Sequence, residues 1–308
     1  MNTSTIIVVG IFTILGIVGL LVLIITYLFL KEKFKATKFA VLNNLPPCDN
    51  IYCPIKILDL PIPKIQDNPN EFDRDMALFL GNLISITAYP KNGIIQVPNT
   101  LEILAELSID STSPTIGIIC KSDNVIWIIF RGTKTLSDLT FDLTYQQKKF
   151  LFNGKQKSPN FFTKDIIVHS GFLQIYNKFR PQLLETLRYH KSKQTIIAGH
   201  SLGAAISQIC TLDLQLQGMS TITYLFASPR VGNKSFVDSF KKDYPTFAII
   251  NNLDTIPTLP VSVCPNFRQS NSPYYYYNIG QEIRFSNNWK SLTNNHLMAI
   301  YMDFLSSY

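Results

Sequence analysis

A serine in the middle of residues 199–203 has the neighbours of an activated nucleophile. The segment reads Gly-His-Ser-Leu-Gly, follows an apolar β-branched run, and leads into an apolar pattern of helical spacing. This order predicts a strand, a sharp turn that lifts the Ser201 hydroxyl clear of the sheet, and a helix. Gly199 and Gly203 leave room for the tight turn and for close packing of strand on helix. Backbone N–H groups at the helix N-terminus would stabilise an oxyanion beside Ser201.

A histidine late in the chain is the candidate base for this serine. A serine hydroxyl needs a base that accepts its proton, and the base needs a carboxylate that orients it. When a serine lies on such a strand–turn–helix motif, an acid and then a histidine follow it along the chain. Of the four histidines, only His296 follows an acid that itself follows Ser201. His169 and His190 precede the serine, and His200 adjoins it on the turn, so we expect the His200 side chain to point elsewhere.

The candidate acid is Asp254, which comes directly after the end of a predicted strand. Sites in open α/β sheets gather at the carboxyl ends of the strands. The other acids between the serine and the late histidine fall in helical or strand patterns and are Asp213, Asp238, Asp243 and Glu282. The sequence therefore predicts a triad of Ser201, Asp254 and His296.

A second group for the oxyanion is expected after the apolar run at residues 125–130. Thr133 lies just past the end of this predicted strand and has both a backbone N–H and a hydroxyl to offer. An ordinary turn is the alternative interpretation of the Gly132-Thr133 pair.

The elements that would position these groups alternate between strand and helix. Apolar runs predict strands at residues 115–120, 125–130, 195–200, 221–227 and 246–251, and one more within 274–285. Helical spacing predicts helices at residues 71–89, 170–189, 201–217, from 233 to about 242, and 297–305. Pro181 predicts a kink or a break in the second helix. The alternation indicates an α/β fold with a central, mostly parallel sheet flanked by helices.

The N-terminal segment predicts one transmembrane helix. Residues 6–30 are uncharged and rich in Ile, Leu and Val, and a helix of this length spans the apolar core of a bilayer. A cleaved signal peptide is less favoured, because the apolar run is long and has neither a basic leader nor a small-residue cleavage site. Four lysines follow the apolar run at positions 31, 33, 35 and 38. By the positive-inside rule they place the rest of a single-pass protein in the cytosol.

Composition divides the chain into three parts. Residues 1–30 form the predicted anchor, residues 31–70 a proline-rich connector, and residues 71–308 a domain large enough for one hydrophobic core.

The net charge of +7 is not concentrated in a basic stripe and no nucleic-acid motif is present, so no nucleic-acid partner is expected. The excess fits contact with anionic lipid, and simple solubility is the alternative. The five scattered cysteines do not indicate a disulfide framework, although Cys48 and Cys53 are close enough in sequence to pair.

Several short segments in a fixed order resemble one family. They are Phe130-Arg131-Gly132-Thr133, Val168-His169-Ser170-Gly171-Phe172, the Gly-x-Ser-x-Gly segment, Ala227-Ser228-Pro229-Arg230-Val231-Gly232-Asn233, Asp254-Thr255-Ile256-Pro257, and His296 with Tyr301 downstream. Over about residues 75–305 the chain resembles the class 3 lipases, the fungal-lipase-like branch of the α/β-hydrolases.

This resemblance implies a role for each candidate residue. Ser201 would be the nucleophile with Asp254 and His296 as its partners, and Thr133 with the Leu202 backbone N–H would form the oxyanion hole. A lid is implied just after Thr133, and neither a metal nor an organic cofactor is needed.

Together these observations predict a membrane-anchored serine hydrolase that cleaves carboxylic ester bonds of lipids, either acylglycerols or phospholipids. Its expected partners are a lipid ester substrate and the bilayer. A thioesterase or another acyl hydrolase on the same fold is one alternative. A non-catalytic membrane scaffold that keeps the fold is the other.

Overall fold

The computed structural model describes residues 61–66, 68–90, 93–132, 146–151, 165–266 and 272–307. The predicted anchor at residues 1–30, most of the connector, Thr133 with the segment expected to form a lid, and the pair Cys48 and Cys53 lie outside these ranges. None of the helices within these ranges is both long and apolar enough to cross a membrane. Cys120, Cys210 and Cys264 are buried free thiols.

Strands and helices alternate along the described chain. The strands are β1 (Glu102–Leu107), β2 (Gly117–Ser122), β3 (Val125–Phe130), β4 (Gln147–Lys149), β5 (Ile167–His169), β6 (Gln194–His200), β7 (Thr221–Phe226), β8 (Thr246–Asn251), β9 (Val263–Cys264), β10 (Tyr274–Tyr275) and β11 (Gln281–Phe285). The helices are α1 (Arg74–Ala88), α2 (Ser170–Tyr189), α3 (Leu202–Leu216), α4 (Lys234–Asp238) and α5 (Met298–Ser307), with short 3-10 turns at Ile256–Thr258 and Asn294–His296.

A seven-stranded sheet forms the centre of the fold. Its order is β1-β2-β3-β6-β7-β8-β11. The pairs from β3 through β6, β7 and β8 to β11 are parallel, whereas β1 and β2 add to one side in antiparallel pairing. The carboxyl ends of five strands therefore share one edge, where ligand sites in such sheets form. The small pairs β4–β5 and β9–β10 lie outside this sheet.

Helices cover both faces of the sheet, because the strands alternate apolar side chains between the two faces. Apolar residues of α1 and α5 pack with one set of strand residues, which includes Trp127 and Tyr224. Apolar residues of α2 and α3 pack with the other set, which includes Phe130 and Ile197. This three-layer arrangement confirms the predicted mostly parallel sheet with flanking helices.

Two helices differ from their sequence predictions. Helix α2 runs unbroken through Pro181, because its buried stripe, which includes Phe179 and Leu183 on either side of the proline, packs continuously against the core. The helix predicted to reach residue 242 ends at Asp238. The backbone N–H of Lys241 donates to the Gln215 side chain at 2.9 Å rather than to a carbonyl of its own helix.

A buried ion pair fastens α2 to α3. The Asp213 carboxylate is fully buried and accepts hydrogen bonds from Arg180 Nε at 2.6 Å, Arg180 Nη2 at 2.9 Å and the Tyr176 hydroxyl at 2.6 Å. The bond to Asp213 raises the pKa of Arg180, and burial raises the pKa of Tyr176 well above its usual value. The carboxylate depends on these donors because it has no access to water.

Arg180→Met is expected to lower the free energy of unfolding by about 3 kcal/mol or more, because it leaves a buried carboxylate without its cation. Adding Asp213→Asn should restore much of this loss, since asparagine keeps an acceptor for the Tyr176 hydroxyl and removes the charge. Urea titration of the full chain in nonionic detergent, followed by tryptophan fluorescence, measures both variants. A double variant no more stable than Arg180→Met would contradict a charge-based explanation.

Candidate active site

Ser201 occupies a strained turn between β6 and α3. Its backbone has φ 56° and ψ −122°, a conformation that side-chain-bearing residues rarely adopt. Such strain costs about 1–3 kcal/mol and persists only where the surrounding structure imposes it. Here the Ser201 N–H donates to the Phe226 carbonyl at 2.9 Å, which ties the turn to the end of β7. The predicted strand, turn and helix are confirmed.

Two glycines allow the close crossing that this turn requires. A Cβ at Gly199 would lie 2.4 Å from the backbone of Gly203, and a Cβ at Gly203 would lie 2.5 Å from the carbonyl oxygens of Phe130 and Arg131. Both distances are too short for a carbon atom. The first turn of α3 is thus held directly against the ends of β6 and β3.

The structure brings the three candidate triad residues together from three separate loops. His296 Nε2 lies 2.7 Å from Ser201 Oγ, and His296 Nδ1 lies 2.7 Å from Asp254 Oδ2. The three residues are 2% to 6% exposed, so the serine hydroxyl has little access to bulk solvent. The order of hydroxyl, imidazole and carboxylate is the one in which imidazole can accept the hydroxyl proton while the carboxylate holds its other nitrogen.

Asp254 is held by two further donors. The Tyr301 hydroxyl donates to Asp254 Oδ2 at 2.7 Å, and the backbone N–H of Ile256 donates to Oδ1 at 2.9 Å. Burial and the nearby Asp254 carboxylate raise the pKa of Tyr301 well above its usual value, so the phenol keeps its proton. Tyr301 thus orients the carboxylate. The sequence analysis noted Tyr301 downstream of His296 but assigned it no contact.

His200 contacts the other histidine of the site. Its Nε2–H donates to the backbone carbonyl of His296 at 2.9 Å, and the two rings lie 4.8 Å apart. Burial, together with the neighbouring His296, lowers the pKa of His200 to about 3, so its ring is neutral near pH 7. His200 therefore fixes the backbone that carries His296. Adjacency to Ser201 in sequence did not reveal this contact, because it depends on a loop 96 positions away.

The end of β3 lies against the turn. A Cβ on Gly132 would be 3.3 Å from the Ser201 Cβ. Arg131 donates through Nη1 to the Gly132 carbonyl at 2.7 Å and through Nε to the Thr115 carbonyl at 2.5 Å. These bonds fix the peptide that leads into Thr133, which itself lies outside the described residues.

The Leu202 backbone N–H is at the first position of α3, immediately after the serine. An N–H in this position has no partner within its own helix and is available to an anion. In the described part of the chain, no group of three or more His, Cys, Asp or Glu side chains is arranged to hold a metal ion.

His169 caps a helix and is not part of the candidate triad. It is the N-cap of α2, and its Nδ1 accepts from the backbone N–H groups of Gly171 at 3.2 Å and Phe172 at 3.4 Å. The residue is 1% exposed and its ring stacks on Phe172. Burial lowers the pKa of His169 to about 4.

This depressed pKa predicts a loss of stability in acid. Below the ordinary pKa of about 6.5, His169 is protonated in the unfolded chain but remains neutral in the folded chain until about pH 4. The free energy of unfolding therefore falls as the pH drops. Between about pH 7.5 and about pH 5, His169 should account for about 2 kcal/mol of the lost unfolding free energy. His169→Asn keeps a capping acceptor and removes the titration. Urea titrations at the two pH values should therefore show a smaller loss in this variant, and an equal loss would contradict the assignment.

Part of the chain is similar in sequence to known lipases. Residues 127–264 match the family described as Lipase (class 3). The chain is 32% identical over 157 residues to the secreted mono- and diacylglycerol lipase LIP1 of Malassezia globosa, covering 48% of each protein. It is 28% identical over 212 residues to the chloroplastic phospholipase A(1) DAD1 of Arabidopsis thaliana, covering 56% of this chain and 45% of that protein. The chain thus spans about half the length of these curated relatives.

A solved structure has the same fold. The mono- and diacylglycerol lipase of Aspergillus oryzae aligns with a TM-score of 0.54 and 20% identity, over 73% of this chain and 85% of that one. The mostly parallel sheet with helices on both faces is therefore an α/β-hydrolase fold. The family match and the relatives show that about half of this chain is similar to class 3 lipases.

Proposed function

We propose that this chain is a membrane-anchored serine hydrolase that cleaves carboxylic ester bonds of lipids, such as acylglycerols or phospholipids. The observation that carries the proposal is the continuous chain of two 2.7 Å contacts from Ser201 through His296 to Asp254. The strained turn at Ser201 and the helix N-terminus beside it supply the other features of acyl transfer.

The chemistry follows from the position of each group. Ser201 Oγ attacks the ester carbonyl carbon while His296 Nε2 accepts its proton. Asp254 stabilises the imidazolium that forms and keeps the proton on Nδ1. The imidazolium then protonates the departing alkoxide, and the ester C–O bond breaks to leave an acyl-serine. A water molecule, deprotonated by the same imidazole, then attacks the acyl carbon. The bond between that carbon and Ser201 Oγ breaks, the imidazolium returns its proton to Oγ, and the fatty acid is released.

The developing oxyanion would lie at the N-terminus of α3. The Leu202 N–H is one donor, and Thr133 would add its backbone N–H and hydroxyl from the end of β3. Support for Thr133 comes from Gly132, which lies against Ser201, and from Arg131, which fixes the Gly132 carbonyl. Ser201 is 2% exposed, which favours a site that neighbouring residues uncover for a lipid. A lid following Thr133 would provide that movement.

Attachment to a membrane is part of the proposal. The uncharged segment at residues 6–30 and the lysines that follow it support a single N-terminal anchor with the hydrolase domain in the cytosol. An anchored enzyme would take its substrate directly from a bilayer.

A substrate panel tests the proposed activity. The full chain in mixed micelles is given short- and long-chain esters, phospholipids and acyl thioesters, and the released fatty acid is measured. Preference for long-chain oxygen esters supports the lipase, and preference for thioesters favours the alternative acyl hydrolase. No turnover together with no labelling by a fluorophosphonate probe would favour a non-catalytic scaffold.

A further inference from the structure

A small hairpin beside the candidate site has an apolar outer face. Strands β9 and β10 are antiparallel, with Val263 opposite Tyr275. The Tyr276 N–H donates to the Ser262 carbonyl at 3.0 Å, which continues the pairing by one residue on each strand. Val261 and Tyr277 follow two residues along from Val263 and Tyr275. Successive residues of a strand point to opposite faces, so these four side chains share one face.

The two faces of the hairpin differ in the exposure of their larger side chains. On one face, which we call the outer apolar face, Val261, Val263, Tyr275 and Tyr277 are 51%, 54%, 45% and 39% exposed. On the other face, Cys264 and Tyr276 are buried against the body of the protein, Tyr274 is half-buried and the small Ser262 is exposed. A contiguous group of exposed apolar side chains marks an interaction surface more often than do single exposed residues.

Hydrogen bonds hold the hairpin firmly on the body. The Tyr277 N–H donates to the Gly232 carbonyl at 3.0 Å, and Gln147 Nε2 donates to the Tyr275 carbonyl at 2.7 Å. Arg230 donates to the Pro260 carbonyl and to Asn278 Oδ1, each at 2.9 Å. The outer apolar face is therefore a rigid surface of fixed orientation.

The hairpin lies at the same edge of the sheet as the candidate triad. Its first residues come shortly after Asp254, which follows the carboxyl end of β8. Gly232, which bridges to Tyr277, belongs to the segment that follows the carboxyl end of β7. A surface that contacts the outer apolar face thus adjoins the edge at which Ser201 lies.

Basic residues outnumber acidic residues around the hairpin. Lys148 and Lys149 are exposed on β4, next to the Gln147 that bonds the hairpin. Lys149 pairs with Asp165 at 2.5 Å and Arg284 pairs with Glu282 at 2.8 Å. Lys148 is an exposed cation beyond these pairs, and it complements an anionic surface.

We propose that the outer apolar face rests in the headgroup region of a bilayer that contains anionic lipid. Tyrosine suits this position because its ring is apolar and its hydroxyl remains in contact with water. The predicted anchor at residues 6–30 would keep the domain near such a surface, and that nearness raises the effective concentration of a weak contact. This proposal rests on the proposed function, which identifies the substrate as a lipid. The bilayer contact itself can be measured without any turnover of substrate.

Depth-dependent fluorescence quenching tests the contact directly. The full chain carrying Tyr275→Trp is reconstituted in vesicles of phosphatidylcholine and phosphatidylserine, with bromine on the upper acyl carbons. Tyr189→Trp is the matched control, because Tyr189 is also exposed but ends α2 at the opposite edge of the sheet. The signal of the wild-type protein is subtracted to remove the native tryptophans. We expect several-fold more quenching at position 275 than at position 189, and equal or absent quenching would overturn the proposal.

A paired variant separates bilayer contact from catalysis. Val263→Asp with Tyr275→Ser should reduce hydrolysis of vesicle lipid several-fold and leave turnover of a short, water-soluble ester unchanged. These side chains are exposed, so the fold should tolerate the changes. Equal loss on both substrates would overturn the proposal, as would a dimer of the wild-type chain that the variant abolishes. If the wild-type chain hydrolyses no ester, the proposed function fails while the quenching experiment still decides the bilayer contact.

Discussion

Ser201→Ala is expected to reduce the kcat for lipid esters by about 10⁴-fold or more, since the reaction loses its nucleophile and the acyl-enzyme cannot form. The hydroxyl is 2.7 Å from His296 Nε2, so its loss leaves the rest of the site in position. Oxyanion donors and substrate binding alone would supply the remaining rate. Release of fatty acid by the full chain in mixed micelles measures the loss, and labelling by a fluorophosphonate probe should disappear with it.

Ser207→Ala is the matched control for this variant. Ser207 is buried six residues further along α3, and its hydroxyl bonds only the Gly203 carbonyl at 2.8 Å among the contacts of the described residues. This change should leave kcat within a few-fold of wild type. If Ser201→Ala retains activity and probe labelling while Ser207→Ala loses them, Ser201 is not the nucleophile.

Asp254→Asn is expected to reduce kcat by a similar factor, about 10⁴-fold, through the tautomer of His296. The carboxylate accepts the proton on Nδ1, which leaves Nε2 free to accept from Ser201. An amide can donate its own N–H to Nδ1 instead. The imidazole proton then moves to Nε2, where the ring can no longer act as a base toward serine. Substrate binding should change little, so the loss should appear in kcat rather than in KM.

Two further variants show whether the loss is specific. Asp303→Asn removes a carboxylate of α5 that is exposed and accepts from Asn287 at 2.8 Å, and it should leave kcat unchanged. Tyr301→Phe removes one donor to Asp254 but keeps the carboxylate, so its effect should be closer to about tenfold. Asp254→Asn with near-normal kcat would show that another carboxylate orients the histidine.

The sheet and its helices could be predicted because their apolar residues form short runs in the strands and recur at helical spacing in the helices. Strands β2, β3, β7 and β8 are apolar runs bounded by turn residues, and each was predicted within a few residues. Strand β1 was missed. Its sequence, Glu-Ile-Leu-Ala-Glu-Leu, consists mainly of residues that favour helices, and pairing with β2 overrides that preference.

The candidate triad could be predicted because chain order and strand ends constrain it. Ser201 is marked by its glycines, and Asp254 by its place after β8. The contacts of Tyr301 and His200 could not be predicted in the same way. Each contact joins residues 47 or 96 positions apart through packing of loops. No local sequence pattern indicates that residues so far apart in the chain are in contact. The anchor at residues 6–30 remains a prediction from hydropathy and length.

The two edge strands of the seven-stranded sheet, β1 and β11, have features that oppose aggregation. Unpaired strand edges invite pairing with another chain, and proteins prevent this with charges and coverings at the edge. Exposed Glu102 and Glu106 lie on β1, where Gln182 of α2 also donates to the Glu106 carbonyl at 3.2 Å. On the opposite side, β11 is only five residues long and exposes Glu282 and Arg284. When two copies of the chain meet, these charged edges keep the encounter from becoming an intermolecular β-sheet.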